Sequence, residues 1–97
     1  MILIRKESES PDTFIANIDE GVVILEPKHE FNDGIIGYNQ ETKQLIYGED
    51  ETLLALSVHY GEEDAVEWLH YYTYRAIPYM GDTKPVFVES RQDMTYV

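Results

Sequence analysis

The residues best suited to metal or acid–base chemistry are three histidines, and they lie far apart in the sequence at His29, His59 and His70. Glu67 and His70 form one Glu-x-x-His pair, the spacing with which di-metal carboxylate bundles hold their ions. Such bundles need a second pair and further carboxylates, and this sequence has no second pair. Cysteine is absent, so neither a thiolate zinc site nor a cysteine nucleophile can form. We therefore predict neither a metal site nor a cofactor.

Carboxylates are too numerous to identify an acid–base pair. With 19 Asp and Glu in 97 residues, almost any fold brings two carboxylates close together. The sequence contains no GxSxG, Walker A, GxGxxG or HExxH motif, and its glycines do not cluster into a phosphate-binding loop. The sequence therefore predicts a binding protein rather than an enzyme. An enzyme with an unfamiliar type of site is the alternative.

Tyrosine is the other chemically distinctive residue, with eight copies, four of them at Tyr71, Tyr72, Tyr74 and Tyr79. Successive residues of an α-helix point about 100° apart, so Tyr71 and Tyr72 cannot both face a core. We predict that Tyr72 lies in the core. Tyr71 and Tyr74 are predicted to contact a partner, because tyrosine is enriched where protein surfaces meet. Tyrosines that flank the core with hydrated hydroxyl groups are the alternative.

The net charge of −12 is the strongest constraint on the partner. Such a charge opposes binding to nucleic acids and to anionic membranes, and it favours a basic protein. Residues 44–74 contain no Lys or Arg, and their acids are Glu49, Asp50, Glu51, Glu62, Glu63, Asp64 and Glu67. Together with Tyr71 and Tyr74, these acids are the predicted partner-binding residues.

The same acids have two structural explanations. Residues 49–51 and 62–64 each precede a predicted helix, and carboxylates stabilise helix N-termini. High net charge also keeps a protein in solution, whatever it binds. In the functional interpretation, the row of carboxylates imitates the phosphates of a nucleic acid and occupies a basic channel on another protein.

The elements that must position these residues follow from apolar periodicity. Two apolar runs around a polar turn predict a β-hairpin over residues 35–47. The spacing of Ala65, Trp68 and Leu69 predicts a helix over residues 62–76 that ends before Pro78. Residues 52–60 fit a helix behind the acids at 49–51, but they also alternate as a strand would.

The remaining segments complete a small α+β domain. Strands are predicted at residues 1–4, 22–25 and 85–89, and a short helix at residues 14–18 behind a cap at Asp12. We expect one sheet with one face covered by the helical pair, in a single domain over residues 1–97 whose residues 91–97 form a flexible tail. The predicted core includes Ile24, Ile36, Leu45, Leu54, Leu69 and Val86. No apolar run reaches the ~20 residues of a membrane span and the N-terminal run is too short for a signal peptide, so a cytoplasmic location is predicted.

Several short runs of the sequence form a distinctive set. They are Ile35-Ile36-Gly37-Tyr38, Leu45-Ile46-Tyr47, the run from Glu62 to Trp68, Tyr71-Tyr72-Thr73 and the run from Arg75 to Gly81. This set, spread over residues 22–88, resembles a group of small proteins encoded by tailed phages and prophages. Where those proteins commonly place Asn, this chain has Tyr72 or Thr73, which argues against a functional amide there.

The resemblance implies a setting in the host cytoplasm, where small acidic phage proteins often bind and block a host machine. We therefore predict a protein that binds, and inhibits, a basic host protein such as a nucleic-acid-binding defence or DNA-processing factor, in the manner of a DNA mimic. A structural or assembly accessory of a phage, or a domain that forms a homodimer or larger homo-oligomer, is the alternative.

Overall fold

The computed structural model describes residues 1–18 and 22–91 and has an α+β fold built on one mixed sheet. The strands lie side by side in the order β1 (Ile2–Ile4), β2 (Ile35–Asn39), β3 (Gln44–Gly48) and β4 (Val86–Val88). β2 is antiparallel to both β1 and β3, whereas β4 is parallel to β3. The predicted flexible tail lies outside the described residues from position 92 onward.

The helices occupy the connections between the strands. They are α1 (Pro11–Ala16), α2 (Lys28–Phe31), α3 (Glu49–Tyr60), α4 (Glu62–Glu67) and α5 (Tyr74–Ala76). A π-helical segment, Trp68–Thr73, joins α4 to α5, so residues 62–76 form one unbroken helical segment, here named the second long helix. The helix predicted over residues 62–76 is therefore confirmed. A 3-10 turn, Ile77–Tyr79, contains Pro78 and ends it.

The hairpin predicted over residues 35–47 is also confirmed, as β2 and β3. Its turn is closed by Asn39, whose side-chain oxygen accepts hydrogen bonds from the backbone N–H groups of Glu41 (3.0 Å) and Thr42 (3.3 Å). The Lys43 N–H then donates to the Asn39 carbonyl at 2.8 Å. The polar turn residues thus satisfy their own backbone groups, which is how Asn favours turns.

Two local predictions need correction, and one alternative that the sequence left open is resolved. Residues 22–25, predicted as a strand, lie outside the sheet, and the Leu25 N–H donates instead to the Tyr47 hydroxyl at 3.0 Å. The cap of α1 is Ser10, whose hydroxyl accepts the Thr13 N–H at 3.1 Å, because α1 begins at residue 11 and the predicted cap residue, Asp12, lies inside its first turn. Residues 52–60, which fitted a helix or a strand, belong to α3.

The main core lies between the helices and one face of the sheet. Its buried members are Phe14, Leu25, Phe31, Ile35, Tyr38, Leu45, Tyr47, Leu56, Ala65 and Leu69. The opposite face of the sheet carries a smaller cluster in which Ile36 and Ile46 pack with other strand residues. The helices therefore cover one face of the sheet, as predicted.

The core prediction is correct for Ile36, Leu45 and Leu69 and wrong for Leu54. The side chains of the first three are fully buried, at 0% exposure, whereas Leu54 is 71% exposed. The buried positions of α3 are Thr52 and Leu56. Leu54 lies two residues from each, about 200° around the helix axis, so its side chain points to solvent. The other two predicted core residues, Ile24 and Val86, are half-buried against the two clusters.

Candidate functional site

The seven predicted acids divide into two groups because α3 and the second long helix run antiparallel. Glu49, which begins α3, contacts Tyr74 near the end of the second long helix, while Tyr60, which ends α3, stacks on Trp68. The 12 residues of α3 span about 18 Å at 1.5 Å per residue. Acids 49–51 and acids 62–64 therefore lie at opposite ends of the helical pair.

The acids at the start of α3 are largely engaged within the chain. Glu49 accepts a hydrogen bond from the Tyr74 hydroxyl at 2.9 Å, and its other oxygen lies 3.8 Å from Nε2 of His70. Glu51 accepts the backbone N–H of Arg91 at 3.0 and 3.2 Å. Asp50 alone of the three is exposed. This group therefore holds the two helices and the end of the sheet together, and His70 pairs with Glu49 rather than with Glu67.

The acids of the second long helix are arranged differently. They are Glu62, Glu63, Asp64 and Glu67, here named the acidic group. All are exposed, and none forms an ion pair with another residue in the described part of the chain. Because no described residue forms an ion pair with them, these carboxylates set a negative potential over this end of the molecule.

A row of aromatic rings lies next to the acidic group, in the spatial order Tyr60, Trp68, Tyr72 and Tyr71. Neighbouring ring centroids are 5.1, 5.0 and 5.5 Å apart, and the first pair is stacked with an interplanar angle of 18°. The row ends at Arg75, whose guanidinium carbon lies 4.1 Å from the centre of the Tyr71 ring. Tyr71 and Tyr72 are 53% and 55% exposed, so the row forms part of the surface.

Two tyrosine predictions are changed by the π-helical segment. Tyr72, predicted in the core, is exposed, and Tyr74, predicted as a partner contact, is half-buried with its ring 5.0 Å from that of Phe87. Hydrogen bonds in a π-helix run from residue i to i+5, which widens the turn and shifts the phase of all later residues. The buried positions here are Ala65, Leu69 and Thr73, at intervals of four, so Thr73 takes the inward position that Tyr72 was expected to fill.

Glu30 holds the first ring of the row in place, a role that no pattern in the sequence indicates. Its carboxylate is buried, and both of its oxygens lie 2.7 Å from the Tyr60 hydroxyl, which donates to it. This hydrogen bond raises the pKa of Tyr60. The two residues are 30 positions apart, and no local pattern links them. Glu30 thus fixes the position in which the Tyr60 ring stacks on Trp68.

A cleft of about 260 Å³ opens between the acidic group and the aromatic row. Its lining residues are Tyr60, Asp64, Glu67, Trp68 and Tyr72, and we name it the aromatic cleft. A shallower hollow beside it is lined by Tyr60 and by the acids Glu62, Glu63 and Asp64. The acidic group and the aromatic row therefore form one continuous surface, here named the acidic–aromatic face.

The histidines do not assemble a metal centre in the described part of the chain. No group of three or more His, Asp or Glu side chains is placed to hold an ion there. The His29 and His59 rings contact each other at 5.7 Å, while His70 lies at the other end of the helical pair beside Glu49. The described residues also contain no helix long and apolar enough to cross a bilayer.

Two tyrosines, Tyr47 and Tyr74, make the stability of the fold depend on pH in the alkaline range. Burial raises the pKa of Tyr47, and burial together with the hydrogen bond to Glu49 raises that of Tyr74. In the unfolded chain both ionise near the ordinary tyrosine value of about 10. Since the folded-state pKa is the higher one, the stabilisation from these protonated hydroxyls is complete below about pH 10 and is lost as the pH rises further.

We therefore expect the free energy of unfolding to fall above about pH 10. An ultraviolet titration of tyrosinate should show a late fraction that appears only as circular dichroism reports unfolding. Tyr47→Phe and Tyr74→Phe should each remove part of the late fraction. A single ionisation step that includes every tyrosine of the still-folded protein would contradict this account.

Comparison with known proteins adds no relative. No protein-family model matches the chain, and neither a curated protein nor a solved structure matches it. By its fold and its site, the protein is a small α+β domain with an acidic–aromatic face on its surface. The resemblance to proteins of tailed phages stays a prediction.

Proposed function

We propose that this protein binds a basic partner protein through its acidic–aromatic face. One observation carries the proposal: four exposed acids without a described ion pair adjoin a continuous row of aromatic rings on the same surface. Exposed carboxylates attract a basic protein at long range and guide its approach. Aromatic side chains supply the contact area from which most binding energy in interfaces comes.

The proposed contact residues differ in part from those predicted. Glu62, Glu63, Asp64, Glu67 and Tyr71 remain, and the aromatic cleft adds Tyr60, Trp68 and Tyr72. The proposal leaves out Glu49, Glu51 and Tyr74, because these side chains make hydrogen bonds within the chain. Asp50 is exposed, but it lies at the start of α3, away from the acidic–aromatic face. It contributes only to the overall negative potential of the protein.

The kind of partner follows from charge. A net charge of −12 opposes contact with nucleic acid phosphates and with anionic lipid, so a protein with a basic surface is the partner proposed. That this partner is a nucleic-acid-binding host protein, inhibited because the carboxylates occupy its nucleic acid channel, rests on the resemblance to phage proteins alone. The same resemblance is the reason for proposing the host cytoplasm as the place of action.

Self-association as an assembly component is a second candidate, favoured by a different surface. Leu54 and Val58 are 71% and 80% exposed and lie four residues apart on the outer side of α3. Such a pair can pack against a second copy of the helix. Mutual repulsion of highly negative chains would weaken a homodimer at low salt, whereas added salt would weaken a complex with a basic partner. The two candidates therefore predict opposite responses to salt.

The proposed function is tested by capture followed by measurement on a purified pair. The immobilised protein is expected to retain a basic protein from a cell lysate, and the affinity of the purified pair should fall as salt is raised from low to physiological concentration. Sedimentation of the protein alone, with a Leu54→Glu variant as the comparison, measures self-association. Affinity that is insensitive to salt, or that rises with salt, would reject the acidic–aromatic face as the binding surface.

A further inference from the structure

We infer that the aromatic cleft binds the side chain of an arginine on the basic partner. This inference rests on the proposed function and names the chemical group that the acidic–aromatic face recognises. The cleft combines three aromatic rings with two carboxylates in a space of about 260 Å³. The next steps explain why those groups select a guanidinium.

The rings of the cleft attract cations. The faces of Trp, Tyr and Phe are electron-rich and hold a cation at up to about 6 Å from the ring centre, with Trp the strongest. In the cleft, Trp68 lies between Tyr60 and Tyr72, at centroid distances of 5.1 and 5.0 Å, and the Tyr72 ring is tilted by 48° to it. All three rings line the same cleft, so a cation inside it lies near more than one of them.

The carboxylates of the cleft accept hydrogen bonds from such a cation. Asp64 and Glu67 both line the cleft beside Trp68. Both side chains are exposed and have no ion pair among the described residues. A ligand that brings N–H donors would therefore satisfy oxygens that now face only solvent.

Arginine meets both requirements better than other cations do. Its guanidinium is planar, stacks on aromatic rings and carries five N–H donors for carboxylates. The lysine ammonium is compact and strongly hydrated, and a quaternary ammonium has no N–H to give to Asp64 and Glu67. The chain already contains the same kind of contact, because Arg75 lies over Tyr71 at 4.1 Å at the end of the aromatic row.

The cleft is also held in shape before any ligand arrives. The hydrogen bond from Tyr60 to the buried Glu30 carboxylate fixes one wall, and Trp68 and Tyr72 both lie on the π-helical segment. Segments of this kind occur often at functional sites. A preformed cleft loses less conformational freedom on binding, which favours affinity for a single side chain.

The test uses the full-length ¹⁵N-labelled protein and three small probes at constant ionic strength. The probes are the N-acetyl amides of arginine, of lysine and of citrulline, the last being a neutral isostere of arginine. The readout is the indole N–H resonance of Trp68, the chain's one tryptophan. We expect saturable shifts with the arginine probe and a dissociation constant on the order of 1–10 mM, as cation–aromatic contact together with charged hydrogen bonds to Asp64 and Glu67 would give. Lysine should bind several-fold more weakly, and citrulline should not saturate.

A matched pair of charge-neutral variants separates the cleft from general electrostatics. Asp64→Asn with Glu67→Gln removes two charges inside the cleft, whereas Glu62→Gln with Glu63→Gln removes two charges outside it on the same helix. The first pair should weaken the arginine probe about fivefold or more, and the second less than about twofold, because nearby charges dominate at short range. Equal weakening by the two pairs, equal binding of lysine, or saturable binding of citrulline would each overturn the inference.

Failure of this inference is distinguishable from failure of the proposed function. If the arginine probe gives no saturable shift while the purified partner complex still weakens with salt, the cleft inference is wrong and the proposed function stands. If the probe binds as expected while the partner complex ignores salt and charge, the proposed function is wrong and the cleft stands as an arginine site.

Discussion

Replacing Glu62, Glu63 and Glu67 by Lys is expected to slow association with the basic partner about tenfold or more at low ionic strength, since electrostatic steering accelerates association by 10–10³. The three side chains are exposed and adjoin the aromatic row, so the change turns an attractive surface into a repulsive one. The difference should shrink at physiological salt, where the Debye length is about 8 Å. Stopped-flow or surface-based kinetics measures both rates.

The control for this prediction carries the same change of charge at other places. Glu7, Glu41 and Glu89 are exposed in the loop after β1, in the hairpin turn and after β4. Replacing these three by Lys should slow association much less, because steering depends on where the charges lie relative to the contact. Circular dichroism must show both variants folded. If the two triple variants slow association equally, only net charge matters and the acidic group has no special role.

Gly34→Ala is expected to lower the free energy of unfolding by about 1–3 kcal/mol, as overpacking of a core does. Gly34 ends the 3-10 turn before β2 and is buried against Thr52 of α3, which is 0% exposed. A β-carbon at Gly34 would lie 2.9 Å from the Thr52 β-carbon and 3.0 Å from its α-carbon. Because the Thr52 backbone belongs to α3 and is packed in the core, it cannot move aside without disturbing its neighbours. Urea denaturation gives the difference.

Gly48→Ala is the matched comparison. A β-carbon there would meet the end of the Glu51 side chain, with its carboxyl carbon at 2.9 Å, rather than a backbone. The flexible Glu51 side chain can turn away at the loss of its hydrogen bond from the Arg91 N–H, so this substitution should cost less than Gly34→Ala. If both variants unfold at the same urea concentration, the close approach of Gly34 to α3 is not the reason that this position requires glycine.

The parts of the fold that sequence reasoning found are those whose signal is local. The hairpin follows from two apolar runs and a turn residue, Asn39, that bonds its own backbone. The helix over residues 62–76 follows from apolar spacing. The π-helical segment inside it was missed, because it depends on tertiary packing that places Thr73, a polar residue, inside and leaves Tyr72 outside.

The candidate site was found only in part, for a related reason. Counting charges identified the acidic group, whose members are free of described ion pairs. Counting charges could not show that Glu49 and Glu51 belong apart from this group. These two side chains accept hydrogen bonds from residues 25 and 40 positions away in the chain. The aromatic cleft was missed as well, since Tyr60 and Trp68 come from different helices and meet only when those helices pack antiparallel.

The central claim, that the acidic–aromatic face binds a basic protein, is tested most directly by mapping the contact in solution. Amide and indole resonances of the ¹⁵N-labelled protein are recorded with and without the purified unlabelled partner. We predict the largest changes at the Trp68 indole N–H and at backbone amides of residues 60–72, with little change at Ile2 and Val86 on the opposite sheet face. Changes confined to that sheet face, or to Leu54 and Val58 on α3, would contradict the claim.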